Sequence, residues 1–212
     1  MQRKLSKYII ELRKNANRWE RIDINGNEDS SLTAKYLKKI VFCLISISII
    51  YKLHDGLPHF FVDFASKTLA IIVGLFMTAV IFSFNKFYEP IKPSDKEKAD
   101  ATQKLNDTQD FNYAKQFAYI TSYNVVLCLF VLAALSLNTL FEETMSAKLN
   151  TYQFINFKDI TLDSFLLFLK LSFIALQRFF VLYWMLRILF STLFSISSMV
   201  KFMTTKLNRN ND

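Results

Sequence analysis

The chain has few of the residues that bend, bridge or ligate. Its 212 residues include three Gly, three Pro, two Cys and two His. So few glycines leave no phosphate-cradling loop, no Gly-x-Ser-x-Gly elbow and no Gly-x-x-x-Gly helix contact. Membrane carriers break their helices with Gly or Pro at mid-membrane, yet only Gly74 lies within an apolar stretch here. The two halves of the chain do not repeat one another. Cys43 and Cys128 belong to no C-x-x-C or metal-ligand cluster and read as small buried apolar residues. Both histidines fall in the turn His54-Asp55-Gly56-Leu57-Pro58-His59, whose spacing matches no zinc pattern and reads as a polar bend. His-Glu-x-x-His is absent, and no chain of carboxylates runs through the apolar stretches. The expectation is a protein with no catalytic residues, no metal and no cofactor, and therefore no enzyme.

What the chain has in quantity is apolar length. Hydrophobic residues make up 52% of it, 22 of them Phe, and they are blocked together. The blocks are 40–51, 61–84, 117–141 and 165–200. A bilayer core about 30 Å thick takes about 20 apolar residues of helix to cross. In hydrocarbon a bare peptide group has no water to bond, so such segments must be helices that bond internally. Tyr36, Tyr51, Tyr88, Tyr113, Tyr152 and Trp19 stand at or beyond the block ends, where amphipathic rings settle. The charged stretch before residue 40 is too long for the n-region of a secretory signal, so none is expected.

Lysine and arginine flanking such spans stay in the cytoplasm. Residues 1–39 carry ten, 86–116 six and 201–212 three. The other side has Lys148 and Lys158. A bias of nineteen to two places both termini in the cytoplasm. The block 40–51 is short, but Lys38, Lys39 and Lys52 can snorkel from its ends and lengthen it. Without that crossing the lysine-rich 86–116 would lie outside, against the charge rule. The expected fold class is an all-α integral membrane protein with four transmembrane helices, N-in and C-in, and cytoplasmic helical extensions. Residues 1–38 form a basic amphipathic helix and a turn. Residues 39–200 hold spans near 39–53, 61–85, 117–141 and 165–187, with a cytoplasmic connection 86–116 and an outer loop 142–164. Residues 201–212 are a basic tail. The location this implies is a membrane, crossed several times, with both termini cytoplasmic.

Leu5, Ile9, Leu12, Ala16 and Trp19 recur at helical steps along one face of residues 3–19. Arg3, Lys4, Lys7, Arg13, Lys14 and Arg18 occupy the other. Such a helix suits anionic lipid heads, a neighbouring subunit or a soluble cytoplasmic partner. Asn25-Gly26 signals a turn, and Ser30 or Ser31 an N-cap for the first span. Pro90 and Pro93 end the second span, and Ser94 with Glu97 is a capping box opening a polar helix in 86–116. Positive-inside flanks account for the net charge of +8, so no direct nucleic-acid partner is expected.

Ionisable groups in a span are costly and mark contacts. Asp63 and Lys170 are expected to meet in the outer leaflet, unless each snorkels to the interface. Arg178, placed nearer the inner leaflet, is expected to contact Asn124. Lys170, Gln177 and Trp184 recur every seven residues and share one stripe, which either glues helices together or lines a water path. The stretch 165–200 runs 36 residues without Gly or Pro, about 54 Å as a helix. It crosses and then projects from the inner face, with Arg187 at the boundary. Leu189, Leu193, Phe194, Ile196, Val200 and Met203 are too apolar for water and require cover from another subunit, residues 3–19 or a soluble partner. A homo-oligomer is therefore expected.

Four spans, both termini inside, about 200 residues and a Lys- and Asn-rich composition resemble the small membrane subunits of bacterial antiviral systems. The nearest likeness is to the KwaA family of the Kiwa system. It covers the whole chain as architecture, with no diagnostic motif and no residue roles to carry over. The resemblance implies an inner-membrane oligomer that senses envelope disturbance by a phage and works with a soluble partner.

Overall fold

The computed structural model describes residues 2–23, 25–28, 32–87, 101–149 and 162–209. The described residues fold into α1 (Gln2–Trp19), α2 (Leu32–Lys52), α3 (His59–Phe87), α4 (Ala101–Leu140), the single turn α5 (Glu142–Met145) and α6 (Leu162–Arg209). Among them no strand forms; Ile22 and Glu28 make one antiparallel bridge across the Asn25-Gly26 turn. Scarcity of Gly and Pro explains the helix lengths. With no residue to break the ladder, α4 continues for 40 residues and α6 for 48. At about 1.5 Å per residue these are rods of roughly 60 and 72 Å. Ser94, Glu97 and the other positions expected to cap a helix in 88–100 lie outside the described residues, as do Ser30, Ser31 and Tyr152.

Three of these helices are long and apolar enough to cross a membrane, over His59–Ile81, Leu105–Leu140 and Leu162–Lys201. The fourth expected crossing corresponds to α2. It has 21 residues, but Lys35, Lys38, Lys39 and Lys52 interrupt its apolarity at both ends. Large apolar side chains stand open along these helices, among them Phe60, Phe64, Ile71 and Leu75 of α3. A water-soluble protein would bury such a surface, whereas lipid accepts it.

The chain divides into two compact units. One comprises residues 1–31, 72–127 and 188–212. Its core is built from Ala16 of α1, Ile22, the α4 residues Tyr113, Ile120, Tyr123 and Leu127, and Ile188 of α6. The other comprises 32–71 and 128–187. There Val62, Ala65 and Leu69 of α3, Val131 and Leu135 of α4, and Leu171, Ile174 and Val181 of α6 are buried. Aromatic rings add to it: Phe179 stacks on Tyr183 at 6.0 Å, and Phe180 meets Trp184 at 5.3 Å.

Candidate functional site

Each unit contains one polar centre. In the unit of residues 32–71 and 128–187 the centre is Arg178, only 1% exposed. A helical side chain slopes toward the N-terminus of its helix. The guanidinium of Arg178 thereby reaches two turns of the chain. Nη2 donates to the Met145 carbonyl at 2.6 Å and the Ala147 carbonyl at 3.0 Å, and Nη1 to the His54 carbonyl at 3.4 Å. These carbonyls lie at the end of α5, just beyond it and in the α2–α3 turn, so no long helix claims them. The Leu149 amide also donates to the His54 carbonyl, at 3.0 Å, which ties the two turns together. Asp55 contributes opposite charge from the same turn. It also pairs with Lys148 at 3.4 Å and His54 at 3.5 Å. Planar donors matched to several carbonyls let a buried arginine stay charged without a bonded carboxylate.

Gly56 fits this centre for two reasons. Its φ of +128° is one that side chains avoid, and a Cβ there would sit 3.4 Å from Arg178 Nη2 and 3.6 Å from the Ser146 Cα. One residue before Arg178, the Gln177 amide donates to the Ala134 carbonyl at 2.9 Å. Asn138 donates to the same carbonyl at 3.2 Å.

In the unit of residues 1–31, 72–127 and 188–212 the centre is Gln116. Its Nε2 donates to the Trp19 carbonyl at 2.9 Å and the Ile22 carbonyl at 3.2 Å. Its Oε1 accepts from the Ser198 hydroxyl at 2.9 Å. The C-terminal carbonyls of a helix have no partner inside it, and here a side chain from α4 supplies one. Trp19 stacks on Tyr119 at 6.5 Å, nearly parallel, and the Lys115 ammonium lies 5.8 Å over the Trp19 ring. The turn that follows is held as well: Gln109 donates to Asn25 at 2.7 Å, and Arg21 pairs with Glu28 at 3.0 Å. Near this centre in sequence, the buried polar atoms of Thr121, Asn124 and Ser195 have no hydrogen-bond partner among the described residues.

These positions correct several expectations. Arg178 was expected toward the inner leaflet and Asn124; its donors instead bond the turns beside Gly56 and Ser146, because free carbonyls there match a guanidinium better than one amide does. Asn124 belongs to the other unit, and its amide has no hydrogen-bond partner among the described residues. Asp63 was expected to meet Lys170; it pairs with Lys67 on its own helix at 2.7 Å, where i,i+4 spacing brings the two together in advance. Lys170 is exposed while Gln177 is buried, so the seven-residue stripe does not share one environment. On α1, Lys4, Lys7, Arg13, Lys14 and Arg18 are exposed. Trp19, expected on the apolar face of the same helix, is taken up in packing against Tyr119. The side chain of Arg3 lies outside the described ones.

Gln116 was not singled out from the sequence; an amide between Lys115 and Phe117 at the start of an apolar block was its signal. Among the described residues no group of three or more His, Cys, Asp or Glu is arranged to hold a metal. No family model, curated protein or solved structure matches the chain.

Proposed function

We propose that the chain is a multi-pass, non-enzymatic protein of the bacterial inner membrane, with four crossings and both termini in the cytoplasm. It forms homo-oligomers and couples a membrane event to a soluble cytoplasmic protein, in antiviral defence of the kind the KwaA resemblance implies. One observation supports this reading most. The same two helices, α4 and α6, contribute to both polar centres: Ala134 and Gln116 stand on α4, Gln177, Arg178 and Ser198 on α6. Disturbing the turns that Arg178 holds pulls on α6, and α6 carries the hydroxyl that Gln116 accepts. Gln116 in turn holds the end of α1, whose basic face is exposed. The input is an envelope disturbance at the turns, and the output is a changed presentation of α1.

The second reading is an effector that forms or gates a pore. The buried polar atoms of Thr121, Asn124 and Ser195, without a partner among the described residues, favour it, because buried polar groups ordinarily find protein or water partners. Expression of the chain alone with a membrane-potential dye separates the two. A coupler leaves the potential intact. Its cytoplasmic partner co-purifies in mild detergent, and the association is lost on changing Lys4, Lys7, Arg13, Lys14 and Arg18 to Gln. Depolarisation by the lone chain overturns the coupler in favour of the pore.

A further inference from the structure

α1 is covered at one end and open at the other. Ala16, Leu12, Ile9 and Leu5 step by four and three along one face. Ala16 is buried, Leu12 and Ile9 are half-buried, and Leu5 is 62% exposed. Tyr8, which a helix places beside both Leu5 and Leu12, is 65% exposed. The covered end is fixed: Gln116 bonds the Trp19 and Ile22 carbonyls, and Trp19 stacks on Tyr119. The apolar face therefore runs out from under its cover toward the N-terminus.

A second stripe is basic. Lys4, Lys7, Glu11, Lys14 and Arg18 step by three and four, and all five are exposed. Arg13 is exposed as well, so α1 presents five cations against one carboxylate, Glu11. At about 100° of turn per residue, Tyr8 stands between this stripe and the apolar face.

Height decides what meets these two surfaces. Gln116 immediately precedes the apolar block 117–141, and on the four crossings proposed above α4 enters lipid there from the cytoplasm. The end of α1 is thereby tied at the level of the cytoplasmic headgroups. Anionic lipids give that leaflet a negative surface potential, which attracts basic segments within about 10 Å at about 0.1 M salt. Cations beside open apolar and tyrosine side chains are the composition of a helix lying in that interface. A purely acidic protein surface would answer the cations and leave Leu5 and Tyr8 in water.

We propose that α1 rests on anionic phospholipids of the cytoplasmic leaflet, with Leu5 and Tyr8 at the boundary of headgroups and acyl chains and Lys4, Lys7, Lys14 and Arg18 on the phosphates. The proposal deepens the coupling reading above and rests on it: the changed presentation of α1 is its release from lipid, which frees the same cations for the soluble partner.

The test uses the full-length chain with Cys43 and Cys128 replaced by Ala and with Tyr8→Cys carrying a polarity-sensitive nitrobenzoxadiazole dye. It is reconstituted in nanodiscs of phosphatidylcholine alone or of phosphatidylcholine mixed with phosphatidylglycerol. Emission should be about three-fold higher in the anionic discs, because the dye brightens on leaving water for the interface. About 1 M NaCl, which shortens the screening length to about 3 Å, should return it to the phosphatidylcholine value. Lys4→Gln combined with Lys7→Gln should do the same without added salt. Equal emission in the two discs overturns the lipid contact, and so does an anionic excess that survives both the salt and the double substitution. Equal emission while a cytoplasmic protein still co-purifies overturns the lipid contact alone. A salt-sensitive excess with no protein co-purifying upholds the contact and overturns the coupler.

Discussion

Arg178 donates to the carbonyl oxygen of Met145 at 2.6 Å, the shortest of three such bonds from one buried guanidinium. This bond joins a helix of 48 residues to the single turn that follows α4. Hydrogen bonds to a charged group contribute about 1.5–3 kcal/mol each, and a buried acceptor left unpaired costs about 1–3 kcal/mol. Arg178→Leu should therefore lower stability by about 3 kcal/mol or more, read as a large drop in unfolding temperature in detergent. Lys67→Leu removes an exposed same-helix pair and should change it by less than about 1 kcal/mol. Equal behaviour of the two variants would remove Arg178 from its central place.

Gly56→Ala tests the same centre through the backbone. Alanine at a φ of +128° is strained, and its Cβ crowds Arg178 Nη2 and the Ser146 backbone. The expected loss is about 1–3 kcal/mol. Gly74 gives the contrast, since no atom stands within 4 Å of a Cβ added there. Gly74→Ala should be neutral or should raise stability by about 0.5–1 kcal/mol, because a helical glycine gives up more chain entropy on folding than alanine.

Gln116→Leu removes both donors to the end of α1 and the acceptor for Ser198. Trypsin should then cut after Arg18 and Arg21 several-fold faster, while the unfolding temperature changes little, since opening is local. Trp19→Ala should act in the same direction by removing the stack on Tyr119. Unchanged cleavage in both variants would mean that α1 is not held at this point.

The helices were legible in the sequence because their causes are local. Long apolar blocks, a helical period over 3–19 and the near absence of breakers are visible without knowing any contact, and α1, α3, α4 and α6 follow from them. The Asn25-Gly26 turn was legible for the same reason. The polar centres were not. Arg178 could be recognised as a costly buried charge, but its partners are backbone carbonyls at Met145, Ala147 and His54, and every residue has a carbonyl. Which of them stay free depends on where α4 ends and how α5 folds. The pairing of Asp63 with Lys67 was readable from i,i+4 spacing, and a longer-range partner was preferred to it. Gln116 carries no signal beyond being an amide beside an apolar block.

Four crossings with both ends in the cytoplasm is the central claim, and α2 decides it. Three apolar helices alone would leave the termini on opposite sides of the membrane. Single cysteines at residues 14 and 204, and in the turn at residue 55, in a chain lacking Cys43 and Cys128, are labelled with a membrane-impermeant maleimide. Labelling is compared between intact spheroplasts and inside-out vesicles. The account predicts that 14 and 204 label only in the vesicles and 55 only in the spheroplasts. Residues 14 and 204 labelling from opposite sides would contradict it.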